Sequence, residues 1–144
     1  MARTTNEITA KLSLQNQALG RHVLLELRHC NQDLLVDAEL LKVALVDSAT
    51  QAGAHVVETV FHQFNPHGLS GVVVIAESHI TVHTWPEYNY AAVDVFTCGN
   101  PDIAMSICGE VVKQFSAEKS TYHTINRGPN LSISSAIVSS DTQL

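Results

Sequence analysis

Apolar positions change their period several times along this chain, and the changes mark its elements. Gly20 to Leu27 (GRHVLLEL) is dense in Val and Leu and reads as a first strand. From Asp37 to Gly53 the period lengthens to that of a helix. Leu40, Leu41, Ala44, Leu45 and Ala49 recur at helical spacing, Asp37 can cap the start, and Gly53 stands where a helix end favours positive φ. His55 to Phe64 is β-branched and alternates, predicting a second strand, and Asn65, Pro66, His67 and Gly68 form a turn. Gly71 to Ala76 (GVVVIA) is continuous and apolar, as expected of a central strand. His79 to Trp85 and Tyr90 to Thr97 alternate, with Pro86, Glu87 and Asn89 supplying the turn between them. Asp102 to Phe115 returns to the helical period through Ile103, Met105, Ile107, Val111 and Val112, and Lys119 to Arg127 reads as a last strand.

Adjacent strands joined by short turns must be antiparallel, because a parallel crossover needs a dozen residues or more. The expected fold is α+β: a two-layer sandwich, an antiparallel sheet with two helices packed on one face. Three segments follow: a polar, flexible leader at residues 1–18, one folded domain at 19–128, and a Ser-rich tail at 129–144 with no discernible role. Neither a repeat nor a low-complexity tract is visible.

Composition narrows the function. The chain has 144 residues, 45% hydrophobic and 15% charged, which suits a compact domain rather than a disordered one. Fourteen acidic side chains against eight Lys and Arg give a net charge of −6. Without a basic stripe, a phosphate backbone has nothing to grip, so no nucleic acid partner is expected. No apolar run approaches the ~20 residues of a bilayer span, so no membrane partner is expected either. Met1 to Gln17 lacks the apolar core of a signal peptide, and the expected location is cytoplasmic. Cys30, Cys98 and Cys108 form no C-x-x-C pair and read as reduced thiols.

Reactive side chains crowd between Ser70 and Cys98: Ser70, Glu77, Ser78, His79, His83, Trp85, Glu87, Asp94 and Cys98. After Ser78, period two puts His79, Thr81, His83 and Trp85 on one face and Ile80, Val82 and Thr84 on the other. A metal site on His79 and His83 is disfavoured, since i,i+4 along a strand spans ~13 Å. No metal is expected. Ordinary nucleophilic catalysis by Cys98 or a serine stays open, although the chain has no G-x-S-x-G elbow. A lone strand histidine is more often a half-buried residue with a satisfied ring nitrogen. Cys108, on the apolar side of a helix, and Cys30, at a strand end, read as small buried hydrophobes.

The segment SGVVVIAESHITVHTWPEYNYAAVDVFTCG, Ser70 to Gly99, closely resembles the signature region of bacterial S-adenosylmethionine decarboxylases. The likeness extends to GRHVLLEL and HQFNPHG and covers residues 19 to 127. It implies an inactive proenzyme that breaks at Glu77–Ser78: the serine hydroxyl attacks the preceding carbonyl, the amide becomes an ester, and β-elimination and hydrolysis leave a pyruvoyl group at position 78. By resemblance His83 is the processing base and Ser70 assists by hydrogen bonding. An imidazole is substantially neutral at cell pH and can take a proton. The covalent pyruvoyl cofactor made from Ser78 would form a Schiff base with the substrate amine and serve as electron sink.

Cys98 is then the implied proton donor to the substrate α-carbon. Phe64 matches the aromatic that stacks on adenine, and Glu87 the carboxylate that binds ribose hydroxyls; Phe64 taken alone would read as core, and Trp85 reads as structural. The implied product feeds spermidine synthesis. A homodimer with shared sites is also implied, Ser78 and Cys98 coming from one protomer and Ser70, His83, Phe64 and Glu87 from the other. One alternative is a pyruvoyl decarboxylase acting on arginine or ornithine. Another is a non-catalytic partner subunit or metal-binding module, which the retention of Ser78, His83 and Cys98 argues against.

Overall fold

The computed structural model describes residues 18–128. The leader, except its last residue, and the tail expected at 129–144 lie outside the described residues. The elements run β1 (Gly20–Arg28), α1 (Gln32–Val36), α2 (Ala38–Gln51), β2 (Val56–Gln63), β3 (Leu69–Ile75), β4 (Ser78–Trp85), a single 3-10 turn (Pro86–Tyr88), β5 (Tyr90–Thr97), α3 (Pro101–Gln114) and β6 (Lys119–Arg127). All strand pairs are antiparallel, and the six strands lie in the order β2-β3-β4-β5-β1-β6. A meander of four strands thus receives β1 on its far side, with β6 beyond it.

The expected α+β sandwich is the observed one, with one helix more than the pattern announced. α1 has only five residues, too few to show a period. It forms because the Asn31 side chain accepts from the Asp33 N–H and because Leu34 and Leu35 bury. At the next helix Asp37 acts as expected, accepting from the N–H groups of Glu39 and Leu40. Past its end, Gly53 adopts φ 85°, which only glycine takes without strain. Before α3, Asn100 accepts from the Asp102 N–H, and Pro101 occupies a position where no N–H is required.

The core lies between the sheet and the helices. Val23, Leu25 and Leu27 of β1, Leu69, Val73 and Ile75 of β3, Ile80 and Val82 of β4, and Val93 and Val95 of β5 point into it. Leu41, Leu45, Ile107, Val111 and Phe115 meet them from the helix side. Phe115 seals the end of α3, where its carbonyl also accepts from Asn31 N–H at 2.9 Å and ties α1 to α3. The other sheet face has no covering layer among the described residues. It exposes Val60, Val72, Val74 and Trp85 beside polar groups. This explains why β3 reads as apolar on both faces although it lies next to an edge strand.

Phe115→Ala should lower unfolding free energy by about 3–5 kcal/mol, the range for a deleted core aromatic, as read by urea titration. Burial raises the Cys30 and Cys108 thiols from 9.0 to about 11 and about 12 respectively. Each folded-state value lies above the unfolded one, so each thiol contributes stability that is complete below pH 9.0 and fades as pH climbs toward the folded value. Denaturant midpoints should therefore fall on the alkaline side, and less so in Cys108→Ala. Cys98 is exposed while the other two thiols are buried, so a thiol reagent should label it first in the native protein.

Candidate active site

Strand β4 carries two groups of reactive residues, one at each end. At its start, Ser78 pairs with Thr97 across the β4–β5 ladder. The residue before it, Glu77, has φ 71°, a left-handed conformation that costs a side-chain-bearing residue about 1–2 kcal/mol. That twist turns the chain out of the strand at the peptide bond in question. The Cys98 N–H faces both groups of the expected cleavage, its nitrogen lying 3.0 Å from Ser78 Oγ and 3.3 Å from the Glu77 carbonyl oxygen. Next in the chain, Gly99 leaves room for the Glu77 carboxylate: a Cβ there would stand 2.7 Å from Glu77 Oε2. Glu77, Ser78, Thr97, Asn100 and Ile103 line a cavity of about 190 Å³. Cys98 lines a second one of about 480 Å³ with Leu19, Arg21, Pro101 and Asn126.

At the other end, Ser70 of β3 lies opposite His83 in the register, and its Oγ sits 2.7 Å from His83 Nδ1. Around them Phe64, His67, Ser70, His83, Trp85 and Glu87 line a cavity of about 230 Å³. Four expected site residues thus share one cavity. Phe64 is half exposed rather than packed in the core, with the His62 ring edge-on at 4.6 Å. Glu87 Oε2 is 3.1 Å from His67 Nε2. In the sequence His67 is only a turn residue within HQFNPHG, and nothing there places it beside Glu87. Trp85 is 39% exposed and lies 5.3 Å from Tyr90, ring to ring. It is a wall of this cavity and not part of the core.

Within one chain the two groups do not meet. Ser78 and His83 are five steps apart along the strand, a span of ~16 Å at ~3.3 Å per residue. Cys98 stands with Ser78, whereas Ser70, Phe64 and Glu87 stand with His83.

The open sheet face holds a further polar cluster that the sequence did not announce. His79 and His83 do not converge; His79 instead joins His22 and Asp94, with ligand-type atoms within 4.8 Å of one another. Asp94 Oδ1 lies 2.9 Å from His22 Nε2 and 3.4 Å from His79 Nε2, and Asp94 Oδ2 accepts from the Thr81 hydroxyl. Burial alone would raise the Asp94 carboxyl. The Thr81 and His22 hydrogen bonds, with the nearby His22 and His79 rings, bring it below its ordinary value. Arg127 Nη1 sits 3.1 Å from His22 Nδ1. A guanidinium only donates, so His22 Nδ1 accepts and its Nε2 carries the proton given to Asp94. That tautomer leaves no lone pair on Nε2 for a metal ion.

Among the described residues, no helix is long and apolar enough to cross a membrane. Residues 21–128 match the family model for S-adenosylmethionine decarboxylase. A protein of Thermodesulfovibrio yellowstonii called S-adenosylmethionine decarboxylase proenzyme is 50% identical over 114 residues, which is 77% of this chain and 82% of that protein. One of the same name from Pelotomaculum thermopropionicum is 51% identical over 110 residues, 76% of this chain and 87% of its own. The crystal structure of the adenosylmethionine decarboxylase from Aquifex aeolicus superposes with a TM-score of 0.73 at 30% identity, covering 89% of this chain and 99% of that one. A Trypanosoma brucei AdoMetDC monomer shares the fold at a TM-score of 0.52 and 12% identity, with 85% of this chain covering 58% of the longer one. A family match across the whole described domain, joined to relatives about half identical over most of their own length, establishes that the chain belongs to the S-adenosylmethionine decarboxylase family.

Proposed function

We propose that the chain is a proenzyme that cuts itself between Glu77 and Ser78, and that the pyruvoyl group so formed decarboxylates S-adenosylmethionine to supply spermidine synthesis. One observation carries the reading. The Glu77 carbonyl and the Ser78 hydroxyl share one backbone donor at a strained turn. A hydroxyl on the β-carbon is needed because the same oxygen must first attack and later leave. Removal of the Ser78 α-proton needs a base, and His83, oriented by Ser70, has the chemistry for it.

His83 is too far along β4 to reach Ser78 of its own chain. The reading therefore requires a homodimer in which His83, Ser70, Phe64 and Glu87 of one protomer face Ser78 and Cys98 of the other. The open sheet face, with Val60, Val72, Val74 and Trp85 exposed on it, is a surface suited to that pairing. A polar carbonyl at position 78 also fits the site: Thr97 Oγ1, on the residue paired with Ser78, is buried and has no hydrogen-bond partner among the described residues. When formed, that carbonyl supplies a sink for the electrons released as carbon dioxide leaves the substrate.

The remaining roles belong to side chains of the chain. The exposed Cys98 thiol is placed beside Ser78 to return a proton to the substrate α-carbon. Phe64 offers an accessible aromatic face to the adenine, and Glu87 accepts from the ribose hydroxyls. Its His67 neighbour holds that carboxylate in place.

Three results are expected. Ser78→Ala abolishes the cut, whereas Cys98→Ala cuts and then loses about 10²–10⁴-fold in turnover, the usual worth of a general acid. Ser78→Ala and His83→Ala chains each stay uncut alone but, when co-expressed, yield fragments from the His83→Ala chain only. Fragments from His83→Ala by itself, or none from the mixture, would contradict the shared site. Labelled carbon dioxide should be released from S-adenosylmethionine and not from arginine or ornithine; the reverse pattern would move the enzyme to another substrate.

A further inference from the structure

We propose that the backbone N–H of Cys98 is the oxyanion donor of the self-cleavage reaction, so that residue 98 serves processing through its main chain and turnover through its thiol. The inference rests on the self-cleavage reading above and assigns a donor that the reading leaves unnamed.

The placement follows from the register. Ser78 pairs with Thr97, so Glu77 and Cys98 confront each other one step beyond the paired strands. In an unbroken ladder the Cys98 N–H would make an ordinary rung. Here that rung falls on the carbonyl to be attacked, at 3.3 Å, and the same hydrogen is shared with Ser78 Oγ at 3.0 Å. Both acceptors belong to the two groups that must join. The donor is fixed from both sides: Thr97, just before it, ends β5, and Asn100, two residues after Cys98, caps α3. A dipole held by flanking secondary structure needs no reorganisation when charge appears.

The chemistry makes this N–H a selective stabiliser. Ser78 Oγ forms a bond to the Glu77 carbonyl carbon, and the carbonyl π pair moves onto its oxygen. The hydroxyl proton ends on the Ser78 nitrogen as the C–N bond breaks and the oxyanion re-forms a carbonyl. An amide has become an ester plus a free amine, with no atom gained or lost. Before the attack the donor is divided between two neutral acceptors. As Oγ spends its lone pair on the new bond it becomes the poorer acceptor, and the N–H turns wholly to the oxyanion. The hydrogen bond is thus strongest at the transition state, the condition for acceleration. The left-handed turn at Glu77 helps by aiming the carbonyl at this donor.

The test removes the N–H and nothing else at that position. Cys98→Ala in the full chain is compared with the same chain carrying lactic acid at residue 98, in which an ester oxygen replaces the amide N–H. Intact mass over time reads the cut. The ester chain should process about 10²–10³-fold more slowly than Cys98→Ala, the loss typical of one oxyanion donor. Equal rates overturn the assignment and leave self-cleavage standing, whereas a wild-type chain that stays uncut overturns the reading beneath it. Should the ester chain not fold, the uncut Ser78→Ala protein decides. A through-hydrogen-bond scalar coupling between the Cys98 amide nitrogen and the Glu77 carbonyl carbon is expected there. Its absence, with a freely exchanging Cys98 amide, overturns the proposal.

Discussion

An extended strand cannot bring its own two ends together, and that constraint organises the chemistry around β4. Each residue advances the chain by ~3.3 Å, so Ser78 and His83 are held apart by the same backbone hydrogen bonds that make the sheet rigid. Neighbouring strands then sort their residues to one end or the other. β5 delivers Thr97 and Cys98 to Ser78; β3 delivers Ser70 to His83. Each half-site is precise because sheet register sets it. On the proposed reading, each needs the other.

The sheet also divides labour between its faces. Helices α2 and α3 cover one face and bury the side chains that hold the domain together. The other face exposes aliphatic and aromatic groups around the His22–Asp94–His79 cluster. A second copy laid on that face would cover apolar surface and bring opposite strand ends together, so stability and catalysis would draw on one contact.

Most of the fold was legible because the sheet alternates on schedule and its helices carry their own caps. Asp37, Gly53 and the turn at Pro86 to Asn89 each announce a boundary through local chemistry. α1 was not legible, since five residues show no period and its burial depends on a distant α3. The site divides in the same way. Ser70, His83, Phe64 and Glu87 were found through their likeness to a family, and the structure gathers them in one cavity. His67 beside Glu87 arises from two turns brought together at one end of the sheet, while Arg127 fixing the His22 tautomer and the buried Thr97 hydroxyl arise from cross-strand register. So does the Cys98 N–H, a backbone group that no side-chain pattern can reveal.

The account stands on a covalent event at one peptide bond, and denaturing mass measurement of the purified wild-type chain examines it directly. The predicted outcome is two fragments, the heavier ending in Glu77 and the lighter beginning with a carbonyl-bearing residue in place of Ser78. A single intact chain without that carbonyl, still releasing carbon dioxide from its substrate, would contradict it.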